Sequence, residues 1–411
     1  MARNIIASLD IGTSTVQTVV AEKKKGEESL RILGVGVAPS RGMRRGVVVD
    51  LEEATSAIKS SVEEAKKLAG VPVRSVWLAV GGAQISVSSS RGVVAVSRAD
   101  QEISHEDVRR AIAAAEQFLP KHPNKEVLHM IPRDFKVDSE SGIKDPVGMH
   151  GVRLEVDTLI VECGSTFLKN LFRCVEKAGL KIEDYVFSPL AAAEVVLTKR
   201  QKELGVMLLD IGGGTASFMV FEEGVPMHAG VVPIGGSHIT NDIAIGLRTQ
   251  VDVAEEIKVT HGSCLPSELP KRDIIRLADF IPEEVATYAR RELAEIVEAR
   301  LRDIFELLQK ELKKIDRVQL LPAGVVLVGG SALLPGLIDL TKKEIKLPVE
   351  LGMPQEFLGG LDERIAPSLA ASLGVLKWAS ARLTNTNALW GGHVSLAGDG
   401  VWLRWLKSLL P

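Results

Sequence analysis

Aromatic side chains are sparse in this chain: Phe, Trp and Tyr make up 4% of its 411 residues, against 45% hydrophobic residues overall. Ala, Val, Ile and Leu must fill the interior, the composition of a soluble α/β protein. Cysteine is scarcer still. Cys163, Cys174 and Cys264 are odd in number and lack metal-ligand spacing, which leaves ordinary buried thiols of a reduced cytoplasm instead of a disulfide scaffold or zinc module. No uncharged apolar run reaches ~18 residues, so no spanning helix is expected and any membrane contact must be peripheral. Asn4 to Leu9 is too short for a signal peptide, and Asp10 interrupts it. A formal charge of -3, with no basic stripe, argues against a nucleic-acid partner. Familiar catalytic signatures are missing as well: there is no Walker A pattern, no Gly-x-Ser-x-Gly and no His-Glu-x-x-His, and Gly34-Val35-Gly36 lacks the third glycine of a dinucleotide fingerprint.

What the chain does have is a glycine turn at the end of a strand. Leu208-Leu209-Asp210-Ile211-Gly212-Gly213-Gly214-Thr215 runs from apolar residues into an Asp and bare backbone, where a ligand's oxygens can approach N–H groups. Leu9-Asp10-Ile11-Gly12-Thr13-Ser14 repeats the pattern 200 residues earlier, and Val20 and Glu22 recur as Val220 and Glu222. Two strand-turn-strand hairpins, each presenting an Asp and a small-residue turn, imply two similar domains facing one nucleotide. Further glycine pairs stand at Gly235-Gly236 and Gly329-Gly330. One glycine turn in an α/β protein is more often plain geometry than a phosphate site; four in this order are more specific.

Read in order, Ile5 to Leu9, Val16 to Ala21 and Arg31 to Ala38 are strands, and Leu51 to Ala69 is a helix capped by Asp50 and stopped by Gly70. After the strand Val76 to Val80 an inserted block begins. Ile85 to Val96 alternates like a hairpin broken by Ser88-Ser89-Ser90, Ser104 to Phe118 is a capped helix, and Val127 to Val137 and Arg153 to Glu162 are strands with loops between them. The run Ser188 to Glu194 opens an Ala-rich helix whose small residues allow close packing. In the second half, Glu283 to Lys314 reads as one long amphipathic helix with Val285 on its buried face, Ser331 to Leu340 turns into a helix, and Ala366 to Trp378 is a last Ala-rich helix. Thr384 to Gly400 has no core pattern and reads as a linker.

This order of motifs resembles the actin and DnaK-type chaperone superfamily. Its two phosphate hairpins, two connecting helices and adenosine loop match Leu9 to Ser14, Leu208 to Thr215, Pro189 to Leu197, Ala366 to Leu376 and Val325 to Leu337. Within it the chain resembles the FtsA family, through Gly42-Met43-Arg44-Arg45-Gly46-Val47-Val48-Val49-Asp50, Gly151-Val152-Arg153-Leu154-Glu155-Val156 and Gly235-Gly236-Ser237-His238. The resemblance implies an α/β, actin-like (ribonuclease H-like) two-domain fold with an inserted SHS2-type subdomain, 1C, and a C-terminal amphipathic helix. The expected division is 1–82 as subdomain 1A with 162–195 and 362–380, 83–161 as 1C, 196–235 as 2A with 321–361, 236–320 as 2B, 381–399 as linker and 400–411 as the membrane-targeting helix.

By the same resemblance Asp10 and Asp210 orient a hydrated Mg2+ for catalysis, and backbone at Gly12, Thr13, Ser14, Gly212, Gly213, Gly214 and Thr215 holds the phosphates of ATP. Gly235 and Gly236 belong to the nucleotide site, Glu255 and Lys258 match a Glu-x-x-Lys signature facing ribose and adenine, and Gly329, Gly330 and Ser331 line the adenosine. Taken alone, Glu255 and Lys258 read more readily as a surface ion pair. Ser188 stands where active relatives carry a Glu or Gln, Ser217 where they carry an Asp, and Ser331 where they carry a glycine, so ATP binding with slow or absent hydrolysis is expected.

At the C-terminus, Trp402, Leu403, Trp405, Leu406, Leu409 and Leu410 fall on one helix face, and Arg404 and Lys407 lie opposite with Ser408. Two tryptophans and two cations on such a helix fit an anionic membrane surface, with a core-docking helix as the plainer alternative. The FtsA resemblance implies a peripheral protein on the cytoplasmic side of the cell membrane at the division site. It would bind the FtsZ C-terminal tail, polymerise head to tail with itself and meet other divisome proteins. A PilM-like actin-fold adaptor, a specialised FtsA paralogue and a sugar kinase of the same superfamily are the competing readings.

Overall fold

The computed structural model describes residues 4–24, 29–118 and 124–384. The expected amphipathic helix 400–411, with its membrane-facing residues, lies outside the described residues, as does the expected linker beyond Thr384.

Two five-stranded sheets share one topology. In the first, Asn4–Ile11 pairs antiparallel with Thr15–Lys23, which pairs with Leu30–Pro39; on its other side lie the parallel strands Ser75–Val80 and Lys181–Phe187. In the second, Val206–Ile211 pairs with Ala216–Glu222, which pairs with Val225–Val232, while Gly324–Val328 and Val349–Leu351 run parallel on the opposite side. The sequence repeat is therefore a repeat of fold. Asp10 faces Gln17 across the first hairpin as Asp210 faces Ser217 across the second.

Helices pack on these sheets because specific residues let them approach. Leu51–Ala69 begins where the Asp50 carboxylate accepts the Glu52 and Glu53 N–H groups at 2.9 Å, and it ends at Gly70 with φ 65°. It lies directly on Leu30–Pro39: a Cβ on Gly36 would stand 2.0 Å from Ser61 O. The Gly34-Val35-Gly36 stretch is thus a packing seat for that helix. The Ala-rich helices Ser188–Val196 and Ala370–Thr384 also meet backbone to backbone, since a Cβ on Gly374 would stand 2.0 Å from Ala191 O. The first core extends through them to Val206, Leu208, Met219 and Phe221 of the second sheet, which joins the two domains at their base.

A third core belongs to the inserted block, where Ile85–Ala95, Arg153–Gly164, Lys125–Val137 and Glu140–Ile143 form a sheet covered by His105–Gln117. The expected hairpin over 85–96 is instead one strand. It pairs with Arg153–Gly164 from Ile85 to Ala95, and Ser90 Oγ turns aside to donate to Ala115 O at 2.7 Å, so the serines interrupt the apolar pattern without breaking the ladder. Glu140–Ile143, read as loop, completes this sheet's edge.

The long helix starts later than its periodicity implies, at Arg290, and runs to Lys314. Thr287–Ala289 is taken into a two-stranded ribbon with Ile274–Arg276, and Arg290 is held by His261 O at 2.8 Å and Asp273 at 3.0 Å. Val285, expected on the buried face, is 91% exposed. The last helix is longer than expected and continues to Thr384, through the first residues assigned to the linker.

Candidate functional site

Both hairpins close with the same bond: the Gly12 N–H donates to Thr15 O and the Gly212 N–H to Thr215 O, each at 3.0 Å. The two turns then press against one another. A Cβ on Gly213 would lie 1.9 Å from Ser14 Oγ, and one on Gly214 would lie 2.4 Å from Thr13 Oγ1. Ser14 Oγ also stands 3.2 Å from Ser237 Oγ across the interface. Glycine is required here because only bare backbone allows so close an approach.

Between the turns lies a cavity of about 490 Å3, a size typical of small-molecule sites. Asp10, Gly12, Thr13, Ser14, Asp210, Gly212, Gly213, Gly214, Thr215, Gly236, Glu255, Lys258, Gly329, Gly330 and Ser331 all line it. Gly235 does not. It packs behind the second turn, where a Cβ would meet Gly212 O at 2.5 Å, and its N–H donates to His238 Nδ1 at 3.1 Å. Its neighbours complete the tether, with the Gly236 and Ser237 N–H groups donating to Gly212 O and Gly213 O at 2.9 and 2.7 Å.

The cavity also has walls that reading the sequence missed. Gly46, Gly81, Gly82 and Gln17 also line it, as do the apolar Val259, Leu333, Leu334, Pro335 and Ile365. Gly81-Gly82 carried a usable signal, a glycine pair directly after the strand Ser75–Val80. Gln17 is less free than its position implies: its amide donates to Ser368 O at 3.1 Å and accepts from Ser372 Oγ at 3.1 Å.

Electrostatics divide the cavity. Burial, and then the neighbouring Asp210 charge, push Asp10 up to about 7, and burial pushes Asp210 up to about 6. No described cation pairs with either, so their charge is uncompensated by protein. Among the described residues no group of three or more His, Cys, Asp or Glu is placed to hold a metal. A hydrated Mg2+ fits such a site, because that ion keeps several waters and takes one or two carboxylates together with ligand phosphates. Beside Gly236, Lys258 Nζ donates to Glu255 at 2.6 Å, to Thr240 Oγ1 at 2.9 Å and to Gly236 O at 3.4 Å, and Thr240 donates to the same Glu255 oxygen. With its side chain 10% exposed, Lys258 is a buried fixture of the cavity and not a surface ion-pair partner.

Ser188, Ser217 and Ser331, the three departures from the pattern of active relatives, all line the cavity and are buried. Ser188 Oγ lies 3.0 Å from where a Gly81 Cβ would stand. A hydroxyl reaches less far than a Glu or Gln side chain and carries no charge, so at these positions the wall holds neither a carboxylate nor an amide.

Comparison with known proteins agrees with this geometry. A family model described as cell division protein FtsA matches residues 207–374, and one described as the SHS2 domain inserted in FtsA matches residues 82–162. Cell division protein FtsA of Borreliella burgdorferi is 37% identical over 380 residues, which cover 92% of this chain and 91% of that protein. The Escherichia coli (strain K12) protein of the same name is 33% identical over 415 residues, covering 99% and 98%. Among solved structures, the PilM-PilN type IV pilus biogenesis complex superposes with a TM-score of 0.67 at 18% identity, covering 91% of this chain and 98% of that one. MreB5 of Spiroplasma citri bound to ADP superposes with a TM-score of 0.53 at 13% identity, covering 93% and 98%. At such identities these structures establish the fold alone, which is actin-like with an SHS2 insert.

Proposed function

This chain belongs to the FtsA family of cell division proteins, and from that premise we propose that it is an ATP-binding, filament-forming protein that anchors FtsZ and the division ring to the cytoplasmic face of the membrane. The observation that carries nucleotide binding is the cavity itself. The two glycine turns and two half-buried carboxylates with no described cation partner line it, as do Lys258 and a set of apolar side chains. A triphosphate with Mg2+ suits the turns and carboxylates, where bound metal offsets phosphate charge; a ribose and an adenine ring suit Lys258 and the apolar wall. In this reading Asp10 and Asp210 hold the ion through water, Gly12 to Ser14 and Gly212 to Thr215 hold phosphates, and Glu255, Lys258 and Ser331 hold the nucleoside. Hydrolysis is slow or absent, since Ser188 and Ser217 bring no group that positions water strongly.

The FtsZ C-terminal tail docks on the smaller part of the second domain, 236–320, and the inserted block takes part in head-to-tail assembly. The tail helix 400–411 lies in an anionic membrane surface, supported by its two tryptophans and two cations. The deciding experiment measures binding of an FtsZ C-terminal peptide to the full chain with and without ATP. Binding in either state is expected; none in both states turns the reading toward an actin-fold adaptor, the role open to a fold shared with the PilM-PilN complex. Removal of Gly400 to Pro411 should abolish co-sedimentation with anionic liposomes, and sedimentation that survives it would refute membrane anchoring by this helix.

A further inference from the structure

The segment between the first sheet and its first helix forms a small ribbon. Met43–Arg44 pairs antiparallel with Val47–Val48, so Arg45 and Gly46 are the two residues of a hairpin turn. Their φ values are 51° and 77°. Positive φ at both positions is the type I′ requirement, met at least cost by Asn-Gly, Asp-Gly or Gly-Gly. An arginine is a poor choice for such a turn. Eight described non-glycine residues have positive φ, and Arg45 alone among them adjoins a residue of the cavity wall.

The tip of this ribbon is wedged where the two phosphate turns meet. Gly46 N–H donates to Thr13 Oγ1 at 2.8 Å in the first turn, and Ala83 N–H donates to Arg45 O at 3.0 Å. On the other side, a Cβ on Gly214 of the second turn would stand 2.8 Å from Arg45 Cα. A Cβ on Gly46 would stand 2.6 Å from Gly82 Cα. The backbone of Arg45 is therefore held by both domains, while its side chain is exposed and has no acidic partner among the described residues. Its charge reaches the second domain: after burial, it is the next cause that holds the His238 imidazole below its ordinary value.

We propose that Arg45 is a specificity-determining residue that supplies positive charge to the terminal phosphate of a bound nucleoside triphosphate, and so makes the cleft prefer triphosphate over diphosphate. The inference rests on the nucleotide-binding reading above. Beside the turns the charged side chains that line the cavity are the two carboxylates Asp10 and Asp210, with the neutral Gln17 amide and hydroxyls around them. Lys258 is committed to Glu255 and Thr240. Arg45 does not itself line the cavity, but the fold holds its backbone beside both turns with an exposed side chain, and guanidinium geometry suits phosphate oxygens.

The test uses the full chain and measures dissociation constants for a non-hydrolysable ATP analogue and for ADP, each with Mg2+, together with the melting temperature without ligand. Arg45→Gly and Arg45→Asn both suit positive φ, so neither should melt lower than the parent. Each should weaken triphosphate binding about ten-fold, as loss of one charge-assisted contact does, while ADP binding stays within about two-fold. Arg45→Lys should recover part of the difference. Equal weakening for both nucleotides, or no weakening, overturns the proposal. If the parent chain binds neither nucleotide, the nucleotide-binding reading itself fails, and the inference falls with it.

Discussion

Replacing Gly374 by Ala sets two effects of opposite sign against each other, and the structure decides between them. In an isolated helix the change is favourable by roughly 1 kcal/mol, because Ala loses less backbone entropy on folding and is the better helix former. Here the new methyl would stand 2.0 Å from Ala191 O, 2.2 Å from Ala191 C and 2.8 Å from Ala192 N, all backbone atoms of the crossing helix. No rotamer change relieves a clash with backbone. The two helices must separate by about 1 Å to bring the nearest contact to 3.0 Å, the shortest that real Cβ atoms show. Overpacking of this kind costs ~1–3 kcal/mol, and an unyielding backbone puts the site at the upper end. The net expectation is a loss of about 2 kcal/mol, or roughly 4–8 °C in Tm for a unit of ~200 residues. The consequence reaches the site, because Ser188 and Ala371, which line the cavity, ride on these two helices. Nucleotide affinity should fall along with Tm. Thermal unfolding followed by circular dichroism, with Gly330→Ala as a comparison where no atom lies within 4 Å, measures the effect. An unchanged or raised Tm for Gly374→Ala would refute backbone contact between the helices.

Three further expectations follow from particular residues. Asp10 and Asp210 bind protons more tightly folded than unfolded, so without ligand the folded chain holds extra protons between about pH 4 and 7 and its stability falls as pH rises through that window. Asp10→Asn should flatten this slope, and parallel Tm-against-pH curves for parent and variant would contradict the burial argument. His129, 2% exposed, accepts the Phe187 N–H at Nε2 over 2.9 Å and ties the inserted block to the residue before Ser188; His129→Leu should cost ~1–3 kcal/mol and speed amide exchange at Phe187, whereas unchanged protection there would show that the bond matters little. Val285→Ser, at a position 91% exposed, should move stability by no more than ~0.5 kcal/mol in urea unfolding; a larger loss would restore the longer helix expected from periodicity.

The inserted block was readable wherever a local signal was strong. Ser104 and Asp107 form the reciprocal cap that their spacing implies, with Ser104 N–H donating to Asp107 at 2.9 Å. Its serine-rich strand was not, because the alternation that marks a strand is lost when hydroxyls stand among apolar residues and only the partner Arg153–Gly164 settles the pairing. The start of the helix at Arg290 was hidden for a similar reason, since apolar spacing continues upstream while Thr287–Ala289 finds a better set of bonds in a ribbon with Ile274–Arg276.

Local chemistry alone determined the duplicated Asp-and-glycine turns, the capped helix Leu51–Ala69 and the small-residue helices, because strand ends, caps and close packing are written in residue types a few positions apart. Which glycines face a ligand was decided by tertiary structure. Gly235 falls behind the second turn as a tether, while Gly46, Gly81 and Gly82 come to the cavity from segments far from either hairpin. The raised carboxylates belong to the same class of fact. Asp10 and Asp210 are 200 residues apart in the chain, and only the closing of two like domains brings them to one cavity, where desolvation raises both and no described cation answers either charge.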